Sequence, residues 1–138
     1  MNDSIKSLIS QYEQDGDFTR VKLTDTMLEE AQSKLGMTIP SQFVDYLDEF
    51  SHGGIAGVEI MGVGLNGAMV FVEATLRARA YGLPENLLVV ENCDEWLYCV
   101  DCTTGAVVSW EIDGEVKPEF DCFDDFLFSE YADAIENL

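Results

Sequence analysis

The apolar residues of this chain first change their spacing at Gly57, and that change limits the fold more than any other feature of the sequence. Before it, apolar side chains recur at helical intervals. Ile5, Leu8, Ile9 and Tyr12 share one face and predict a helix over residues 3–14, ended by Asp15-Gly16-Asp17. Thr24 or Asp25 can cap a second helix whose Leu28, Ala31 and Leu35 turn inward, and Gly36 supplies a left-handed stop. Pro40 suits the first turn of a third helix, where its missing N–H costs nothing, with Phe43, Val44, Leu47 and Phe50 as the apolar side and Gly53-Gly54 as the terminator. Val58 to Met61 reads as a short strand leading into a glycine-punctuated loop, Gly62 to Gly67. A fourth helix is expected at about residues 68–80, broken by Tyr81-Gly82-Leu83-Pro84.

Beyond that break the signals are those of strands. Leu87 to Val90 is a continuous apolar run of the kind that fills a buried central strand. Trp96 to Asp101 follows, Thr104-Gly105 turns the chain, and Val107 to Ile112 returns antiparallel to it. Asp113-Gly114 is a hairpin signal, and Glu115 to Lys117 forms a short edge strand that Pro118 should end. Asp121 can cap a last helix with Phe123, Phe126, Leu127, Tyr131 and Ala134 on one face, Asp124 and Asp125 lying in its first turn where the helix dipole favours anions. The expected class is therefore α+β: N-terminal helices, an antiparallel meander sheet of about 4–6 strands and a C-terminal closing helix. At 138 residues and 47% hydrophobic content this fits one domain, 1–138, able to bury its own core.

Charge narrows the function. The formal net charge is −20, and residues 80–138 carry 15 acids against Lys117 alone. Gripping nucleic acid or an anionic membrane requires basic surface, so neither is expected as a partner. A basic protein is. The first ten residues lack the basic start and apolar stretch of a signal peptide, and no run reaches the length of a membrane span, so a cytoplasmic location is expected. In that reducing setting Cys93, Cys99, Cys102 and Cys122 should be free thiols.

Several strings invite a chemical reading, and each has a plainer one. Cys99-Val-Asp-Cys102 has the spacing of a zinc knuckle or redox pair, yet no second pair completes four ligands, and residues three apart in a strand point to opposite faces. The sole histidine, His52, stands just past the third helix, where an imidazole interacts favourably with the dipole; no nucleophile and acid accompany it. Gly62-x-Gly64-x-x-Gly67 has dinucleotide-loop spacing without the parallel βαβ setting, so loop geometry explains it better. The scattered acids form no calcium loop and no paired catalytic arrangement, which makes a partner-facing acidic surface their best functional reading. Trp96, Trp110, Tyr98 and Tyr131 belong to the types that anchor interfaces, although their spacing also suits a core. No catalytic residue, metal or cofactor is expected.

The succession of motifs resembles the SUKH superfamily, which includes the yeast cell-wall assembly regulator and bacterial immunity proteins against polymorphic toxins. The resemblance spans about residues 24–130. Leu28 to Gly36 with Ile39-Pro40 looks like the family's amphipathic helix and Leu-Pro step, and Phe43 to Phe50 with Gly53-Gly54 like its next helix and Asn-Gly-Gly end. Leu83 to Glu91 and Asp94 to Asp101 look like its central strands, Val108 to Glu111 like the next one, and Cys122 to Leu127 like its Ser-Phe-x-x-Phe-Leu helix. Ser51-His52, Ile39 and Cys122 depart from the usual Asn, Leu and Ser. The resemblance implies a bacterial antitoxin without enzymatic activity, binding the catalytic region of a cognate secreted toxin, frequently a nuclease. A phosphate-gripping nuclease surface is basic, which agrees with the charge found independently. The contact candidates are Asp94, Glu95, Glu111, Asp113, Glu115 and Asp121. The alternative function is that of a regulatory adaptor or scaffold binding another cytoplasmic protein, as eukaryotic relatives suggest.

Overall fold

The computed structural model describes residues 1–138 and has the order α1 (Asp3–Tyr12), α2 (Asp25–Leu35), α3 (Ser41–Glu49), α4 (Val70–Arg79), β1 (Leu87–Asn92), β2 (Leu97–Asp101), β3 (Val107–Trp110), β4 (Val116–Phe120) and α5 (Phe123–Glu136). The four strands form one antiparallel sheet in sequential order, as expected of a meander. Helix signals place the helices well. Thr24 Oγ1 accepts from Met27 N at 3.1 Å, and Gly36 closes α2 at φ 72°.

Four local expectations are corrected. Val58 to Met61 is not a strand of the sheet; Gly53 and Ile60 form an isolated bridge instead, and the Met61 N–H donates to the Val90 carbonyl on the free edge of β1. The second strand begins at Leu97 and the third ends at Trp110, because the flanking residues are consumed by turns. Pro118 does not end β4, which continues to Phe120; with a neighbour on one side only, an edge strand tolerates a residue lacking an N–H. Asp121 is not the cap of α5 either. Cys122 holds the cap position without a side-chain bond, and a donor of the first turn, the Asp124 N–H, is satisfied from α3, by Gln42 Oε1 at 3.0 Å.

The sheet divides the interior in two. On its inner face Leu88, Val90, Val100 and Val107 join the main core with Ile5, Phe43, Tyr46, Phe71, Phe123 and Phe126. Phe43 meets Phe71 and Phe123 edge-on, at centroid distances of 5.5 and 5.1 Å. On the outer face a smaller cluster unites Leu87, Val89, Cys99, Val108 and Trp110 with Ala78 of α4 and Leu83. Helix α4 lies along β1 and protects that edge: the buried Thr75 hydroxyl donates to Phe71 O at 2.7 Å and accepts from Val89 N at 2.9 Å. No helix is long and apolar enough to cross a membrane.

Candidate partner-binding surface

Antiparallel register decides which acids come together. Asn92, Leu97, Trp110 and Val116 pair in succession across all four strands, forming the last row of the sheet on its outer face. Just beyond that row stand the β1–β2 turn, with Asp94 and Glu95, and the β3–β4 turn, with Glu111, Asp113 and Glu115. Five of the six expected acids are thus gathered at one end of the sheet, all exposed. Asp121 is not among them. It follows β4 at the other end, on the order of 16 Å away at about 3.3 Å per residue, beside Thr103, Thr104 and Cys122 in a separate cleft.

The two turns are built from residues that suit them. Asp94 and Asp113 occupy left-handed conformations, φ 66° and 63°, which aspartate tolerates better than most side chains. Asn92 Oδ1 accepts from Asp94 N at 2.8 Å, and Glu111 O accepts from Gly114 N at 2.9 Å. Turn chemistry therefore accounts for Asp94 and Asp113 on its own, whereas Glu95, Glu111 and Glu115 have no such conformational reason. None of the five is in an ion pair; every ion pair of the molecule lies within its first 59 residues. Repulsion among these carboxylates is relieved only by solvent, salt or a cationic partner.

Behind the acidic end lies a buried carboxyl that sequence reading missed. A register shift between Val89 and Glu91 brings Glu91 opposite Tyr98, whose ring packs on Phe126 at 5.1 Å, and Glu91 is 8% exposed. Burial first, and then the Glu130 carboxyl on α5, raise Glu91 to about 9, so at neutral pH it is an acid that donates to Glu130. Its Oε1 has no partner. An apolar run ending in an acid reads like an ordinary strand terminus, and only the bulge turns it inward.

The other strings take their plainer readings. Gly64 N donates to Ala68 O, Gly67 sits at φ 83°, and a Cβ on Gly62 would run into the Ser51 carbonyl, so these glycines serve a tight loop against the chain after α3. His52 does not serve the helix dipole as expected: its Nδ1 accepts from Gly62 N at 3.0 Å and its Nε2 lies 3.3 Å from Glu59 Oε1, which fastens that loop. All four cysteines are free, and burial pushes the thiols of Cys99 and Cys102 up to about 12, far from nucleophilic thiolate. No three His, Cys, Asp or Glu side chains come together as a metal-binding group.

Residues 5–132 match the family model described as SMI1-KNR4 cell-wall, SUKH_5. The chain belongs to the SUKH family. Its fold is also that of a solved protein from Pseudomonas syringae pv. tomato, with a TM-score of 0.66 at 23% identity over 86% of this chain and 88% of that one. In this SUKH domain the glycine pair after α3 has a physical reason: a Cβ on Gly53 would overlap the Asp17 carbonyl, and one on Gly54 that of Val58. The hydroxyl of Tyr46 donates to Gly53 O at 3.2 Å and meets the hydroxyl of Tyr131 at 2.8 Å, joining α3, α5 and that loop through one buried polar contact.

Proposed function

We propose that this SUKH domain is an immunity protein: a cytoplasmic, non-catalytic antitoxin that binds a cognate toxin, a basic nuclease domain, one to one through the acidic end of its sheet. The observation that carries the reading is the convergence of Asp94, Glu95, Glu111, Asp113 and Glu115 at one end of the sheet, exposed and without a cation in contact. A nuclease surface evolved to hold phosphate is complementary to that field. Opposed charge of this kind accelerates encounter and excludes wrong partners. Inhibition then follows from occlusion, with the carboxylates standing where phosphates would lie, and needs no chemistry from the antitoxin.

Coexpression with the toxin-like protein encoded beside it, scored by growth and then by copurification over a salt series, tests the proposal. Rescue with a one-to-one complex that weakens as salt rises is the expected result. No rescue and no complex with a demonstrably active toxin would sink it and favour the regulatory adaptor.

A further inference from the structure

The last row of the sheet carries more than a base for acidic turns. Leu97, Trp110 and Ile112 wall two adjoining clefts on the outer face. One, of about 370 Å³, is bounded by Asp94, Glu95, Trp96 and Glu111. The other, of about 190 Å³, is closed on its far side by Ala74, Ala78 and Tyr81 of α4 and the turn after it. Trp110 is 4% exposed and fixed, whereas Ile112 and Tyr81 are 57% and 62% exposed at the mouth, and Val116 beside Trp110 is 41% exposed. Helix α4 runs along β1, and the smaller cleft opens between it and this last row.

We propose that the smaller cleft is the anchor site of the interface, taking one aromatic or large aliphatic side chain from a basic protein segment whose flanking Lys or Arg residues sit against the two acidic turns. This rests on the acidic sheet end being the partner-facing surface. Its volume falls below the roughly 300–1,000 Å³ of small-molecule sites and suits a single side chain. A rigid apolar pocket rimmed by polar groups is the usual setting of a binding hot spot. Charge complementarity selects the occupant: a neighbour with carboxylates on the turns and no base on them rejects an acidic segment. A second copy of this chain, itself at −20, is opposed for the same reason. Arg77 of α4 lines the apolar cleft but not the larger one beside the acidic turns, and would disfavour a cation inside the pocket.

Two synthetic heptapeptides of equal charge, Gly-Lys-Arg-Phe-Arg-Lys-Gly and its serine-for-phenylalanine counterpart, titrated at low salt into the full ¹⁵N-labelled chain, test the assignment. The phenylalanine peptide should bind at least about tenfold more tightly and shift the Trp110 indole and Ile112 signals. In the Ile112→Ser/Tyr81→Ser protein, altered only at residues more than half exposed and checked for an unchanged melting profile, the two peptides should bind alike. Equal affinity for the original protein, with shifts confined to the acidic turns, would overturn the anchor site and leave the acidic-surface reading standing. Failure of both peptides to bind would remove both. Concentration-dependent self-association that shifts Trp110 without peptide would give the cleft to a second copy and overturn the proposal.

Discussion

A carboxyl taken out of water beside a second carboxyl keeps its proton, and Glu91 does so between β1 and Glu130 of α5. Its folded value, about 9, stands above the ordinary 4.5, so the folded chain holds a proton that the unfolded chain releases. Stability from this group is full below pH 4.5 and falls as pH rises toward 9. Replacing Glu91 with Gln should flatten that loss, raising stability at pH 7 relative to pH 5 by up to about 3 kcal/mol in paired urea titrations. An unchanged pH profile would reject the assignment. Gly62 gives a second prediction at this scale: because a Cβ there meets Ser51 backbone, Gly62→Ala should lose more than about 2 kcal/mol in the same assay. Gly67, with nothing near its missing Cβ, carries only the cost of its left-handed φ of 83°.

Elements are joined here through a few polar bonds that sequence patterns do not announce. The Thr75 hydroxyl ties α4 to the β1 edge, and Gln42 of α3 completes the first turn of α5. Thr75→Val keeps the shape but strands the buried Val89 N–H, and should cost about 1–3 kcal/mol by chemical denaturation. Amide exchange at Val89 should accelerate in the same variant, a local signature that a general loss of packing would not single out. At the opposite edge β4 is exposed over most of its length, although its last residue, Phe120, packs on Phe126 of α5 at 5.7 Å. Lys117, Pro118 and Glu119 blunt it, with Glu119 Oε1 accepting from the Ser109 hydroxyl at 2.8 Å. The sheet therefore has one edge covered by a helix and one defended by charge and proline.

For the molecule as a whole, the decisive quantity is the field at one end of the sheet. Isosteric neutralisation, Asp94→Asn, Glu95→Gln, Glu111→Gln and Asp113→Asn together, preserves the left-handed turns while removing four charges. Under the proposed immunity function, it should weaken binding of the cognate partner by about tenfold or more and flatten its salt dependence in calorimetric titrations. Asp121→Asn, at the other end of the sheet, should change neither. If Asp121 alone mattered, the interface would lie over the cleft between α2, α3 and the β2–β3 turn instead.

Periodicity and turn chemistry were sufficient to specify five helices, an antiparallel meander of about 4–6 strands and the left-handed stop of α2, because these depend on neighbours a few residues apart, while pairing decided that the sheet has four strands. Thr24, Gly36 and the Asp113-Gly114 turn each carry their reason locally. What lies at long range did not follow from the sequence. Strand register gathered Asp94, Glu95, Glu111, Asp113 and Glu115 and sent Asp121 away; a single bulge turned Glu91 inward; Gln42, 82 residues distant, replaced the expected cap of α5. A one-residue slip in pairing exchanges the faces of a strand, so which acids share a surface is settled only when the strands have paired and the helices have packed against them.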